Sequence, residues 1–345
     1  MNKGCTYIVL LNWNGWRDTI ACLQSLFALD YSRYRVLVCD NDSSDGSLSH
    51  IEAWCRGEIA ADLPDSDRLR STMPERQAPV SYVALTASEV GNDRALPVKA
   101  PLVLIDNEAN LGFAGGNNVG LRFALAQKDM SHVWILNNDT LVERDCLSNM
   151  HRRLEREAGP AVCGSMIHFF DNPGSLQAIG GNRFNSRTGV ALQSEGRFVA
   201  EGCSLDIDAI ESQLDYISGC SMLMPRHLLE SVGLLNDEYF LYYEEIDWFT
   251  RAGRSVKCCV AAEARIYHRE GGSIGSPSLR QHRPSLTADF HIFRSKHLFM
   301  SRFYRQSLLF CYLSTLGEVG KRILRGHFSN ARVVLAVLFG TTQSR

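Results

Sequence analysis

The chain lacks a charge excess, a long apolar run, a paired-cysteine motif and an internal repeat, and each absence removes a class of function. Its 36 Lys and Arg nearly balance 38 Asp and Glu, so there is no electrostatic case for nucleic acid as the main partner. No apolar stretch approaches the roughly 20 residues needed to cross a bilayer. The opening stretch MNKGCTYIVLLNWNGW holds only a short apolar run after a single Lys, too little for a signal peptide. Eleven cysteines are scattered without a C-x-x-C, and only Cys258 and Cys259 are adjacent. A disulfide framework or zinc site is therefore disfavoured, and a reducing, cytoplasmic setting is expected.

What is present fits an ordinary globular protein. The 345 residues, 45% hydrophobic and 21% charged, suffice for a catalytic domain and a smaller unit. The first third alternates strand and helix signals. YIVLL (Tyr7 to Leu11) is a continuous apolar run, as in a strand covered on both faces. A helical pattern follows from Trp16 to Leu29. YRVLVCDNDSSDGS repeats the plan, with a helix from about Ser47 to Cys55. PLVLID and HVWILNNDT are third and fourth strands. Such alternation predicts an α/β domain with a mostly parallel, Rossmann-like sheet flanked by helices. Ligands bind such sheets at the carboxyl ends of the strands, where all four polar clusters lie.

Between Arg56 and Ala100 the pattern lapses into charged, proline-containing sequence, read as a surface insertion. Ala161 to Asp215 suggests hairpins. A helix before Gly253 and a strand from Val256 to Val260 come next, and from about Pro284 the chain reads as helical.

The polar clusters suggest chemistry. NLGFAGGNNVGLRFAL (Asn110 to Leu125) is a glycine-rich turn entering a helix. Such a turn suits either an approaching phosphate or tight packing. It is neither G-x-G-x-x-G nor a P-loop. Asp139 of ILNNDT ends an apolar strand, where a carboxylate can hold a hard divalent cation while substrate phosphates add ligands. A bare D-x-D is found elsewhere, at Asp40–Asp42, Asp65–Asp67 and Asp206–Asp208, and is weak evidence by itself; position after a strand is what singles out Asp139. Asp40 ends the second strand and can accept the imide N–H of uracil or thymine, whereas Asp42 and Asp45 suit capping. Glu244 and Glu245 open a helix, whose dipole is expected to lower their pKa. Asp247 and Arg251 are spaced to pair along it. His268 alone reads as structural more readily than as a ligand.

Taken in order, VLLNWNG, VCDNDSSDGS, NLGFAGGNN, ILNNDT, FLYYEEIDWFTRAG and IYHREGGS resemble the family 2 glycosyltransferases of GT-A fold, most closely the rhamnosyltransferase-like branch. The likeness runs from about Tyr7 to Ser273, with the insertion as a gap. It implies a catalytic domain over residues 1–275, with 56–100 inserted, and a helical C-terminal region over 276–345. It further implies a metal-dependent, inverting transferase that moves a sugar, L-rhamnose first, from a dTDP- or UDP-linked donor to a hydroxyl of a glycan or lipid-linked acceptor. Mg²⁺ or Mn²⁺ is then held by Asp139 and His268. Asn12, Asn14, Asp40, Asn110, Gly112, Asn117, Asn138 and Arg269 line the nucleotide-sugar site. Glu245 is the base, with Glu244 beside it. Two departures stand out: Asn137 where the family often has the first acid, and Glu245 where it usually has Asp.

Two other classes share part of this pattern. A nucleotidyltransferase also puts acids at strand ends, but its basic, glycine-rich N-terminal loop is absent. A catalytically silent glycan-binding protein of the same fold would accommodate Asn137 and Glu245. The trailing segment mixes Arg and Lys with Phe, Leu and Val at helical spacing. A peripheral membrane surface, packing against the catalytic domain and a homodimer interface all fit it.

Overall fold

In the structure, a computed structural model, residues 4–75, 79–91, 98–193, 203–269 and 284–340 are described. The chain opens with β1 (Cys5–Asn12), α1 (Trp16–Leu26), β2 (Tyr34–Asp40) and α2 (Ser47–Arg56). Then come α3 (Asp67–Ser71), β3 (Tyr82–Thr86), α4 (Ala87–Gly91), β4 (Leu102–Asp106) and α5 (Gly112–Ala126). β5 (Met130–Asn137), β6 (Thr140–Val142) and α6 (Cys146–Leu154) follow, and then β7 (Ala161–Phe169), β8 (Leu176–Ile179), β9 (Gly181–Asn185) and β10 (Val190–Gln193). The next elements are α7 (Ile207–Glu211), β11 (Tyr216–Ile217), β12 (Ser221–Pro225), α8 (Arg226–Val232), α9 (Glu244–Ala252) and β13 (Lys257–His268). The helices α10 (Leu286–Phe303), α11 (Leu308–Leu324) and α12 (Phe328–Leu338) complete the described chain.

The strands β3, β4, β2, β1 and β5 lie side by side in that order, all parallel. β12 pairs antiparallel with β5 and carries the sheet on to β7, β8, β9 and β10. The continuous apolar run of β1 is explained by its two covered faces. Tyr7 and Val9 pack with Ala114, Leu121 and Phe123 of α5, while Ile8 and Leu10 pack with Ile20 and Leu23 of α1 and Trp54 of α2. Alternate residues of a strand point to opposite faces, so a strand buried on both sides needs no polar alternation.

The glycines of α5 set its distance from the sheet. A Cβ on Gly116 would lie 2.4 Å from Leu11 Cδ1, and one on Gly120 would lie 2.8 Å from both Cys39 Sγ and Val9 Cγ1. Gly112, at φ +71°, leaves a would-be Cβ 2.2 Å from the Phe240 carbonyl oxygen. Of the two readings of this turn, tight packing is the one these contacts support.

Three sequence-based boundaries shift. The first helix stops at Leu26, and the strand begun near Val256 runs to His268. The segment from Arg56 to Ala100 supplies an edge strand, because Tyr82–Thr86 pairs in register with Leu102–Asp106. Its alternation was too short to stand out among charged neighbours.

Candidate active site

Register brings the polar strand ends into one row. Asn12 lies opposite Asp40, Asp40 opposite Asp106, and Leu11 opposite Asn137. The long strand β13 pairs with β6 so that His268 falls opposite Thr140, one residue from Asp139.

At the β1 and β2 ends the side chains form a closed hydrogen-bonded group. Asn12 Nδ2 donates to Asp40 Oδ2, and Asn12 Oδ1 accepts from Thr19 Oγ1 at 2.7 Å and Asn138 Nδ2 at 3.3 Å. Ser43 donates to Asp40 through its backbone N–H at 2.9 Å and its hydroxyl at 2.8 Å. Burial pushes the Asp40 carboxyl above its ordinary range, and these donors act against that push. Asn12 is fully buried. Its amide braces Asp40 and Asn138 from behind, where the sequence reading had it lining the pocket. Asn14 is exposed, and at φ 51° its Oδ1 accepts from the Ser44 and Asp45 N–H groups. It joins the two loops. Asp45 accepts from Ser47 at the start of α2, whereas Asp42 is a left-handed turn residue.

The glycine-rich turn is held by Asn110, which the sequence singles out, and by Asn41 and Asn107, which sequence reasoning missed. Asn41 Nδ2 donates to the Gly112 carbonyl at 2.9 Å, and Asn41 Oδ1 accepts from Asn107 Nδ2 at 2.7 Å. Asn110 Oδ1 accepts from Gly112 N at 3.1 Å. Asn117 was expected nearest a nucleotide, but it is 1% exposed and donates to the Phe113 carbonyl. It sits inside the helix–sheet seam because its turn of α5 lies against the sheet. The only available signal was its place after two glycines that let the helix approach.

At the β5 end, Asn138 donates to Thr19 Oγ1 at 2.8 Å. His268 Nε2 lies 3.2 Å from Asp139 Oδ1, 3.2 Å from Asn137 Nδ2, and its Nδ1 lies 3.0 Å from Gln177 Oε1. Burial alone would lower the His268 pKa; Cys220 and the Asp139 carboxylate overcome it and hold the ring well above its ordinary value. Asp139 Oδ1 is buried and meets the His268 ring as an ion pair without a well-aligned hydrogen bond. A buried carboxylate oxygen with spare acceptor capacity suits a cation. No group of three or more His, Cys, Asp or Glu is assembled among the described residues; Asp139 and His268 are the pair at this strand end that could hold a cation. Beside them a cleft of about 130 Å³ is lined by Asp18, Asp139, Phe170 and Arg269, together with Asp62 and Pro64 of the segment between α2 and α3. Arg269 lies 4.1 Å over the Phe170 ring and 3.5 Å from Asp18.

The two glutamates enter from α9. Tyr242 and Tyr243 both adopt the left-handed region, at φ 66° and 74°, which turns the chain sharply into the helix. Backbone strain of this kind is costly for non-glycine residues and persists where the surroundings impose it. Here the Tyr243 hydroxyl is bonded to the Gly189 carbonyl, and α10 grips the preceding loop through Ser295 to the Leu241 carbonyl at 2.8 Å. Glu245 Oε1 accepts from Gly219 N at 3.2 Å. Gly219 precedes Cys220, whose carbonyl accepts from Asn137 N at 3.0 Å. Glu245 is thereby tied to the same strand end as Asp139.

The helix-dipole expectation for these acids is overturned. Burial raises Glu245 above its ordinary value and Glu244 well above it, the charge of Glu245 adding to the shift on Glu244. A dipole contributes only about 0.3–1 kcal/mol, while each pKa unit from desolvation is about 1.4 kcal/mol and burial can supply several. Glu244 is 4% exposed with Oε2 unpartnered, and Glu245 is more open. Asp247 and Arg251 do pair, at 2.6 Å, and Tyr239 also donates to Asp247.

The glycosyl transferase family 2 model matches residues 98–214. Over 151 residues the chain is 26% identical to the low-salt glycan biosynthesis hexosyltransferase Agl10 of Haloferax volcanii, covering 44% of this chain and 46% of that protein. The chain thus spans under half the length of that curated relative. Among solved structures, the mannosyltransferase PcManGT of Pyrobaculum calidifontis, in complex with GDP-Man and Mn²⁺, superposes with a TM-score of 0.52 at 13% identity, covering 98% of this chain and 87% of its own. GalNAc-T7, solved with UDP, GalNAc and Mn²⁺, gives a TM-score of 0.50 at 11% identity over 81% of this chain and 47% of its own. At such identities the likeness is one of fold: the GT-A type α/β sheet flanked by helices.

Proposed function

We propose that this chain, whose residues 98–214 match glycosyl transferase family 2, moves a hexosyl group from a nucleoside-diphosphate sugar to a hydroxyl of a glycan or glycolipid, with inversion. The observation that carries this reading is the convergence of Asp40, Asp139, His268 and Glu245, drawn from four separate elements, on the carboxyl edge of one sheet. The donor we favour is a pyrimidine one, dTDP-L-rhamnose first among candidates. Asp40 keeps acceptor capacity for an imide N–H after its bonds to Asn12 and Ser43. Asp139 and His268 would hold Mg²⁺ or Mn²⁺, which when bound neutralises the departing diphosphate. Arg269 adds positive charge at the same cleft.

Glu245 takes the proton from the attacking hydroxyl. Its raised pKa suits it to that task near neutral pH, because a base works best when its pKa lies close to the operating pH. Glu244, almost wholly buried, positions the start of α9, and burial together with the charge of Glu245 holds its own carboxyl well above the ordinary range. The test is donor hydrolysis over a panel of nucleotide sugars with and without Mn²⁺, since slow hydrolysis needs no acceptor. Metal-dependent turnover of a dTDP- or UDP-sugar is expected. Turnover of nucleoside triphosphates instead, or no response to any nucleotide, defeats the reading.

A further inference from the structure

We propose that the outer face of α11, together with the start of α12, docks on an anionic phospholipid bilayer. The helix buries Cys311, Thr315 and Val319 against its neighbours. On the other side Leu309, Leu313, Leu316 and Leu324 are 66%, 55%, 48% and 89% exposed. Their spacing keeps them on one stripe of a helix. Gly317 and Gly320 have open space beside them, and Phe328, opening α12, is 67% exposed. Scattered exposed leucines need no explanation, but a continuous apolar stripe of this length does.

Charge decides what covers it. Residues 284–340 carry eight Lys and Arg against two Asp and Glu, in a chain of net charge −2. Both acids are already engaged: Asp289 by Arg322 at 2.7 Å, and Glu318 by Lys321 at 2.7 Å and Arg322 at 2.9 Å. Arg305, Arg325 and Arg332 are exposed and have no ion-pair partner among the described residues. Arg187, from the β9–β10 turn, stacks at 3.9 Å on Phe310. A second copy meeting this face about a two-fold axis would set like charges against like, because such an interface uses the same patch twice. An anionic surface instead offers partners to the exposed arginines of this region while lipid tails take up the leucines. No helix among the described residues is long and apolar enough to cross a membrane, so α11 lies in the plane of the surface.

Co-sedimentation of the full chain with vesicles tests this independently of any transferase activity. Vesicles containing phosphatidylglycerol should bind at least about tenfold more tightly than pure phosphatidylcholine, and added salt should weaken the binding. The double variant Leu313→Asp, Leu316→Asp should lose about tenfold or more in affinity with an unchanged circular dichroism spectrum and Tm. Arg305→Glu with Arg325→Glu, which keeps the apolar stripe, should lose the preference for anionic lipid. Unaltered binding by either double variant overturns the proposal, as does equal binding to both kinds of vesicle. A dimer in sedimentation equilibrium that the Asp substitutions dissolve would instead make a second copy the occupant.

Discussion

His268 Nε2 stands 3.2 Å from Asp139 Oδ1, and that oxygen, though buried, accepts no aligned hydrogen bond. The pairing of His268 with Thr140 across β13 and β6 creates this contact. A cation held by both would give that oxygen a second partner besides the His268 ring.

Replacing Asp139 by Ala should therefore cost a hundredfold or more in Mn²⁺-dependent turnover, of the order that metal stabilisation of a leaving group supplies, about 3 kcal/mol. Stabilisation of the fold by UDP plus Mn²⁺, read as a Tm shift, should vanish with it. A variant that keeps both leaves the metal assignment without support.

Glu245→Gln is expected to lower transfer by roughly 10²- to 10⁴-fold, the usual worth of a positioned base, with donor affinity unchanged in calorimetry. In the wild-type chain the ionised form is the active one. Its pKa is raised by burial, so kcat/KM should climb with pH through a midpoint above the ordinary glutamate value. A midpoint at or below that value would argue against Glu245.

Glu244 gives a stability test with a definite sign. Its folded pKa is well above the unfolded one, so its favourable contribution is complete below the unfolded value of about 4.3 and is lost as pH rises towards the folded pKa. Glu244→Gln, which cannot ionise, should leave Tm nearly unchanged at pH 4 and raise it by a few degrees at pH 8. A gain that shrinks with rising pH contradicts the burial argument.

Gly120→Ala tests the α5–sheet seam. The added methyl would lie 2.8 Å from both Cys39 Sγ and Val9 Cγ1, two fully buried side chains. Overpacking of this kind costs about 1–3 kcal/mol, against a helix-propensity gain of up to about 1 kcal/mol. Net destabilisation in urea titration is expected. Gly317→Ala, whose methyl meets nothing within 4 Å, should be neutral or stabilising.

Much of this arrangement was legible in the residues. Fully apolar runs such as YIVLL announced strands covered on both faces, and the polar residues after them marked the carboxyl edge of the sheet. The parts that stayed hidden depend on contacts distant in sequence. Nothing local marks Asn41 and Asn107 as the clamp on Gly112, since turn asparagines look alike whether exposed or buried. Asn117 reads as a ligand residue until α5 is laid on the sheet. The acids of α9 invited a dipole argument, and only the depth of their burial reverses its sign. β3 hid among charged residues because an edge strand of five residues has little periodicity to show.

The most direct measurement is a crystal structure of the full chain with UDP or dTDP and Mn²⁺. The pyrimidine should lie against Asp40, with the diphosphate and metal between Asp139 and His268, and Glu245 facing the open side of the β-phosphate. Nucleotide bound away from the carboxyl edge of β1, β2 and β5, or metal touching neither Asp139 nor His268, would contradict it.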